Sequence, residues 1–364
     1  MKKIRLEKMT ILLIAGMLIS CSSSSIQLTK IKGEVSIHTK LQNNFLDDNY
    51  AAVGLYASGI EELSRPMPVD LSWKTKNNSP VTYKVSISEN EDLTDPIIIE
   101  TRESSASVYN LKIGTKYYWN VTAKYESSTH ISSTETFEIE SYGPRNLYVD
   151  GVTNVRDVGG WVIDNTHRVK QGLFYRSGRF NTSGISTISK EVTSAGEKVL
   201  LDDLKIKSEM DLRRVDNNEV GSITSSVLGD EVTYFSCPMN WEVGNILEDN
   251  VEMVKHIFSD ILAKEENYPL IFHCNIGTDR TGLIAYLLNG LLGVSEENLY
   301  YDYLFSNFGL IGSLRTPGNI KSYVDTIKWT EGHNLSDKIN NYLLSIGVNN
   351  EDISAIKNIF IENI

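Results

Sequence analysis

The sequence predicts a two-domain chain: an all-β sandwich over residues 31–140, then an α/β domain over residues 151–364 whose central sheet is wrapped by helices. Three observations predict it. A length of 364 residues exceeds one ordinary domain and suits two. From Val69 to Glu140 strand-like runs alternate with turn residues. From Leu173 onward short apolar runs alternate with helical stretches, the texture of a sheet covered by helices. The composition, 41% hydrophobic and 23% charged, is that of a globular chain, and a net charge of -12 argues against a nucleic-acid partner, which needs a basic face.

Residues 1–21 read as a targeting segment outside the fold. Lys2, Lys3, Arg5 and Lys8 precede an apolar run from Met9 to Ser20 that is too short to span a bilayer as a mature helix. Leu18-Ile19-Ser20-Cys21 resembles the lipobox of bacterial lipoproteins, which implies lipidation at Cys21. The chain is then expected in the bacterial cell envelope, lipid-anchored and facing the periplasm or the exterior; a plain secretory signal is the simpler alternative. Residues 22–30, opening on Ser22 to Ser25, read as a tether. Only Cys237 and Cys274 remain after Cys21, too few for a disulfide framework.

Within the sandwich range, Val69 to Lys74, Val81 to Ser88, Pro96 to Thr101, Lys116 to Lys124 and Thr134 to Glu140 carry period-2 alternation with β-branched and aromatic residues. The run from Leu111 to Trp119, LKIGTKYYW, with Trp73 upstream, resembles fibronectin type III domains. Tyr117, Tyr118 and Trp119 are read as core residues rather than a ligand platform. No residue pattern identifies a partner for the sandwich.

Residues 141–150, with the breaker Gly143-Pro144, read as a linker. Asn154 to Trp161 follows as a loop with Gly159-Gly160, in which a structural ion pair through Arg156 or Asp157 is one reading. Gly172 to Gly178 reads as a strand into a turn, Met210 to Arg214 as a strand end on the catalytic face, and Val232 to Cys237 as another strand. Asn250 to Ala263 and Ser295 to Phe305 read as helices, and Ile320 to Ile364 as helical with a break at Gly347.

The chemistry concentrates in His273 to Gly282, HCNIGTDRTG. Tyr268 to Phe272 suits a buried strand and Thr281 to Leu292 a buried helix, so the stretch is a strand-to-helix turn. Such a turn aims backbone N–H groups and the positive end of a helix dipole at its mouth, which makes an anion site. Asn275, Ile276, Gly277, Thr278 and Asp279 are enough chain to curl around one phosphate, with Gly277 supplying the tight bend. Arg280 offers a planar fork for two oxygens, and Cys274, beside those dipoles, is expected as a thiolate nucleophile.

HCNIGTDRTG resembles the signature of the cysteine-dependent protein tyrosine phosphatase superfamily. NVRDVGGW at Asn154 to Trp161, GLFYRSG at Gly172 to Gly178, IKSEMDLR at Ile206 to Arg213 and DYLFSN at Asp302 to Asn307 narrow the resemblance to its bacterial tyrosine and lipid phosphatase family. That family usually has lysine where Thr278 stands, a charge that helps to hold multiply phosphorylated lipids. The resemblance implies phosphomonoester hydrolysis through a cysteinyl-phosphate at Cys274, with Arg280 and the loop amides on the phosphoryl oxygens. Thr281 then donates to the sulfur, His273 orients the loop, and no metal or cofactor is required. The resemblance also places the loop from Asn154 to Trp161 beside the active site and implies phosphate binding as the other reading of Arg156 or Asp157. Asp279 is the first candidate for general acid, with Asp211 and Glu242 as rivals. The expected substrate is a phosphorylated protein, foremost phosphotyrosine, or a small phosphomonoester; the alternatives are phosphoinositides or inositol phosphates, and a catalytically silent envelope binding protein. Finally, Cys237 ends a strand expected near the one ending at His273, which makes it a candidate redox partner of Cys274 against the simpler reading of a buried small hydrophobe.

Overall fold

The computed structural model describes residues 26–76, 80–181, 190–215, 219, 223–241 and 244–364. The targeting segment with Cys21, and Glu242, lie outside the described residues. Among the described residues no helix is long and apolar enough to cross a membrane.

Two sheets enclose the amino-terminal core. One has the order Ile26–Leu28, Val69–Thr75, Ser105–Val108; the other runs Glu34–Val35, Glu135–Ile139, Lys116–Lys124, Thr82–Ser88, Ile97–Thr101, with Thr129–Ile131 also on Lys116–Lys124. Alternation decides which side chains enter: in Lys116–Lys124 Tyr117, Trp119, Val121 and Ala123 are buried and meet Trp73, Tyr83 and Val85. Tyr117 stacks on Phe137, and its hydroxyl accepts the Lys112 N–H at 2.8 Å. The expected tether is shorter than residues 22–30, because Ile26–Leu28 pairs with Trp73 to Thr75 and buries Ile26.

The β-rich range is also not purely a sandwich. Thr39 and Gln42 form a reciprocal cap that starts the helix Lys40–Leu46, and a 3-10 turn Tyr50–Leu55 follows. This arm leaves the two sheets of the β-rich region and enters the core of the α/β domain. Phe45 is fully buried with its ring 5.4 Å from Tyr301 and 5.7 Å from Phe308, and Tyr50 stacks on Tyr300 at 4.7 Å.

Residues 141–150, expected as a linker, are built into the junction. Buried Arg145 donates to Asn110 and Leu111 carbonyls at 2.6 and 3.1 Å and pairs with Asp157 at 2.8 Å. Gln171 brackets Ile113 through both its N–H and its carbonyl, at 3.0 and 2.9 Å.

The α/β sheet has the order Arg156–Asp157, Phe174–Ser177, Leu270–His273, Ser208–Asp211, Thr233–Ser236, and the last four strands are parallel. In register, Ser177, His273, Asp211 and Ser236 stand level, so all four strands open at their carboxyl ends on one face. The helix Asp279–Leu292 is buried almost all round, covered by Glu296–Leu304 and Leu335–Ser345, while Lys321–Trp329 packs on Leu335–Ser345 and brings Tyr323 against Tyr286. Asn350–Phe360 follows, and the chain ends with Ile361–Asn363 paired to His167–Val169.

Because Phe45 fills space between Tyr301, Phe305 and Phe308, Phe45→Ala is expected to cost about 3–5 kcal/mol. Calorimetry on the whole chain should show the transition of the α/β domain lowered; an unchanged transition would mean that the arm is not part of that core.

Candidate active site

The loop between Leu270–His273 and Asp279–Leu292 sits at the carboxyl end of the central strand. The helix begins at Thr278 with no side-chain cap, so its first-turn amides are left for an external anion. For those amides to face inward the loop carbonyls must face the protein, where burial demands partners. Asn154 Nδ2 donates to the Ile276 and Gly277 carbonyls, each at 3.1 Å, and Arg176 Nη2 to Gly277 at 2.9 Å. Gly277 has φ 69°, and a Cβ there would stand 2.3 Å from the Ser177 carbonyl oxygen, so only glycine fits. Asp302 fixes the two supports: it accepts from Arg176 at 2.5 Å and from Arg156 at 2.9 Å, and Arg156 donates on to Asn154 Oδ1 at 2.5 Å. Burial, then Arg176, draws Arg156 down to about 10, which leaves it charged at neutral pH.

Cys274 lies buried at the loop start. Burial by itself raises its thiol; the Arg280 guanidinium and hydrogen bonds from the Thr281 hydroxyl and N–H outweigh it, and the net shift is downward. Thr281 Oγ1 is buried and takes no hydrogen-bond partner elsewhere in the described chain, which leaves its hydroxyl to the neighbouring Cys274 sulfur. Arg280 is held from behind by Glu219, which accepts from Nη1 and Nη2 at 2.8 Å each, and by the Leu212 carbonyl at 3.1 Å. This bidentate clamp leaves the Nε edge of the guanidinium for an oxyanion. Burial pushes Glu219 up, but Arg280 pulls it further down, so the clamp is ionic.

His273 points away from the reacting face. It bonds Glu209 at 2.9 Å through Nε2 and reaches the Cys274 carbonyl at 3.3 Å through Nδ1. Burial lowers its pKa, yet Asp211 and Glu209 raise it on balance, which favours the imidazolium, and its two ring nitrogens tie the loop start to Glu209 and to the Cys274 carbonyl. Glu209, Asp211 and His273 bring ligand-type atoms within 4.8 Å of one another. Hydrogen bonds account for that grouping: Ser226 donates to Glu209, while Arg213 and Tyr234 donate to Asp211 at 2.7 and 3.0 Å. Asp211 is thus a buried carboxylate behind the loop, not a proton donor at its mouth.

Asp279 faces the other way. Its oxygens accept from Arg315 Nε and Nη2 at 3.1 and 3.0 Å and from the Tyr303 hydroxyl at 3.0 Å. It forms one wall of a cavity of about 250 Å³ shared with Trp241, Ile246, Arg315 and Tyr323. Trp241, half exposed, lies 6.0 Å from the Arg280 guanidinium carbon and makes an aromatic rim beside the loop.

The structure therefore gathers Cys274, Asn275, Ile276, Gly277, Thr278, Asp279, Arg280, Thr281 and His273 in one turn. Arg156 is an ion-pair support, one of its two expected roles. Cys237 is corrected. The Ser208–Asp211 strand lies between its strand and the one leading to Cys274, so two strand spacings, about 9–10 Å, separate the sulfur-bearing positions. A disulfide needs Cα atoms within about 7 Å. Burial, then Asp211, also pushes the Cys237 thiol up to about 12, which makes it core packing and not a resolving thiol. Glu219, Trp241 and Arg315 escape the sequence reading. Asn154, Arg176 and Asp302 stand inside motifs whose individual residues carry no visible role until the loop carbonyls are seen.

A family model described as the tyrosine phosphatase family matches residues 147–362, more than half of the chain. A provisionally named tyrosine-protein phosphatase of Cupriavidus necator is 25% identical over 195 residues, which cover 45% of this chain and 64% of that protein. A tyrosine-protein phosphatase of Nostoc commune is 40% identical over 58 residues, 16% of this chain and 19% of its own length. The chain thus spans less than two thirds of either relative. Among solved structures, the core catalytic domain of the PP-IP phosphatase SIW14 from S. cerevisiae matches with TM-score 0.30 and 18% identity, covering 44% of this chain and 88% of that one. P. aeruginosa TpbA matches with TM-score 0.30 and 17% identity, covering 48% and 86%.

The charge arrangement around Cys274 has a direct test. Iodoacetamide alkylation should titrate below the ordinary thiol value of 9.0 in the wild type, because the folded pKa is depressed. In Arg280→Met, burial is no longer outweighed, and the midpoint should rise by about 1–3 units. Coincident profiles would show that Arg280 does not set the thiolate.

Proposed function

The chain belongs to the tyrosine phosphatase family, and on that premise we propose that it hydrolyses phosphomonoesters through a cysteinyl-phosphate, with protein phosphotyrosine as substrate. The observation that carries the reading is a buried Cys274 with depressed pKa, set at an uncapped helix start beside an Arg280 that Glu219 holds with one edge free. The Cys274 thiolate attacks phosphorus while the bond to the leaving oxygen breaks. Arg280 and the loop amides receive the charge on the equatorial oxygens. Water then attacks the phosphocysteine, and the sulfur departs as a thiolate that accepts from Thr281. Asp279 remains the candidate to protonate the leaving oxygen, and it has to part from Arg315 to do so.

The aryl substrate is supported by Trp241 at the rim and the aromatic wall continuing to Tyr323. A multiply phosphorylated ring would want further cations, but Thr278 is neutral and Arg315 is engaged by Asp279. The amino-terminal β-rich region, proposed as a fibronectin type III-like module, gives no direct sign of its own ligand. From the sequence we further propose lipidation at Cys21 and an envelope location.

Cys274→Ser should abolish turnover on a phosphotyrosine peptide, and the wild type should prefer that peptide to inositol phosphates; the opposite preference would remove the phosphotyrosine assignment. Asp279→Asn should lower turnover roughly 10²–10⁴-fold on esters with poor leaving groups and much less on p-nitrophenyl phosphate. Equal losses on both would take Asp279 out of proton transfer. Wild-type protein should partition with membranes and Cys21→Ala should not; soluble wild-type protein would sink the anchor.

A further inference from the structure

The amino-terminal arm does more than fill the core beside Phe45. Its last stretch, Gly59 to Ser64, runs along residues 307–312: Gly59 N–H donates to Asn307 at 2.9 Å, Leu63 N–H to Phe308 at 2.6 Å, and the Gly59 carbonyl accepts from Ile311 and Gly312 at 2.9 and 2.7 Å. The fit is close. Gly59 has φ 77°, and a Cβ there would stand 2.7 Å from the Ile311 side chain and 2.8 Å from the Ser313 carbonyl oxygen.

From this stretch two side chains reach the residues that shape the phosphate loop. Ser64 Oγ, buried, accepts the Asn154 N–H at 3.2 Å. Glu62 accepts from Ser64 Oγ at 2.5 Å, from Thr153 Oγ1, and from the Leu310 N–H at 3.4 Å, while Thr153 Oγ1 accepts the same N–H at 2.8 Å.

Asn154 is held in place by this contact. Its φ of 58° is left-handed, a region that asparagine enters more readily than most non-glycine residues, and the Ser64 hydroxyl fixes its N–H there. Its buried N–H has Ser64 Oγ as acceptor, and its side chain turns the Ile276 and Gly277 carbonyls away from the anion. A second path leads from Glu62 and Thr153 through the 307–312 segment to Asn307. Asn307 fixes the Arg315 backbone through both amide ends, at 2.6 and 2.9 Å, and Arg315 in turn grips Asp279.

We propose that Ser64 and Glu62 of the amino-terminal arm are positioning residues for the phosphate loop, acting on it through Asn154 and, by way of Leu310 and Arg315, on Asp279. The phosphatase-family domain is then not self-sufficient in this chain. The geometry of its anion site depends on a segment that the sandwich domain delivers.

The test uses the whole mature chain and three readouts: the pH profile of Cys274 alkylation, tungstate affinity by calorimetry, and kcat and KM on p-nitrophenyl phosphate. Ser64→Ala is expected to move the alkylation midpoint upward and to weaken tungstate binding and kcat/KM on the order of tenfold or more, since small misplacements of catalytic groups are costly. Ser64→Thr, which keeps the hydroxyl, should recover most of each. A Ser64→Ala protein that melts earlier but keeps the wild-type alkylation profile and tungstate affinity would overturn the proposal. If Ser64→Ala does not fold, Glu62→Gln decides by the same criteria. The turnover arm rests on the phosphatase reading, whereas alkylation and tungstate binding do not. A wild type that binds tungstate but hydrolyses no ester would refute that reading alone.

Discussion

The site depends on one constraint of the peptide backbone: a loop can turn its N–H groups toward an anion only if its carbonyls find donors on the other side. Here those donors are Asn154 and Arg176, and both trace to Asp302. The sequence spacing of these residues is long, but their separation in space is one hydrogen bond each. Loss of Asp302 would strand two buried guanidinium groups, and breaking a buried charge pair in this way costs about 3–5 kcal/mol. The phosphate loop, the first sheet strand and the helix Glu296–Leu304 therefore hold their positions jointly.

A second set of buried charges works on the reacting side. Glu219 holds Arg280, and Arg280 together with Thr281 depresses the Cys274 thiol. Behind them, Glu209 and Asp211 raise the pKa of His273, and this residue, which precedes Cys274, anchors the loop start through both ring nitrogens. Each charge is low in energy only because its partner is present. The clamp of Arg280 by Glu219 also fixes the orientation of the guanidinium, which reduces the reorganisation that binding of an oxyanion would otherwise require.

The junction between the domains follows the same logic on a larger scale. Arg145 crosses from Asn110 and Leu111 to Asp157, and Gln171 closes on Ile113, so the β-rich region meets the α/β domain through buried, directional contacts. Such contacts fix an orientation more than an apolar interface of equal size would. The arm from Thr39 to Ser64 places Phe45 in the core of the α/β domain and Ser64 against the Asn154 N–H.

Much of this was determined by the sequence alone, wherever the determining pattern is local. HCNIGTDRTG between an apolar strand and an apolar helix predicts the anion turn, because dipole, amide and glycine requirements are all set within ten residues. The alternation in Lys116–Lys124 predicts its buried face for the same reason. Even the missed helix at Lys40–Leu46 was written locally, in the Thr39 and Gln42 capping box. Tertiary structure decided the rest. Glu219 meets Arg280 and Arg315 meets Asp279 only through the fold, since no periodicity encodes a partner 61 or 36 positions away. Strand order decided Cys237: one intervening strand moves it out of reach of Cys274, and order in a parallel sheet is set by how crossover helices pack, which a strand's own residues do not specify.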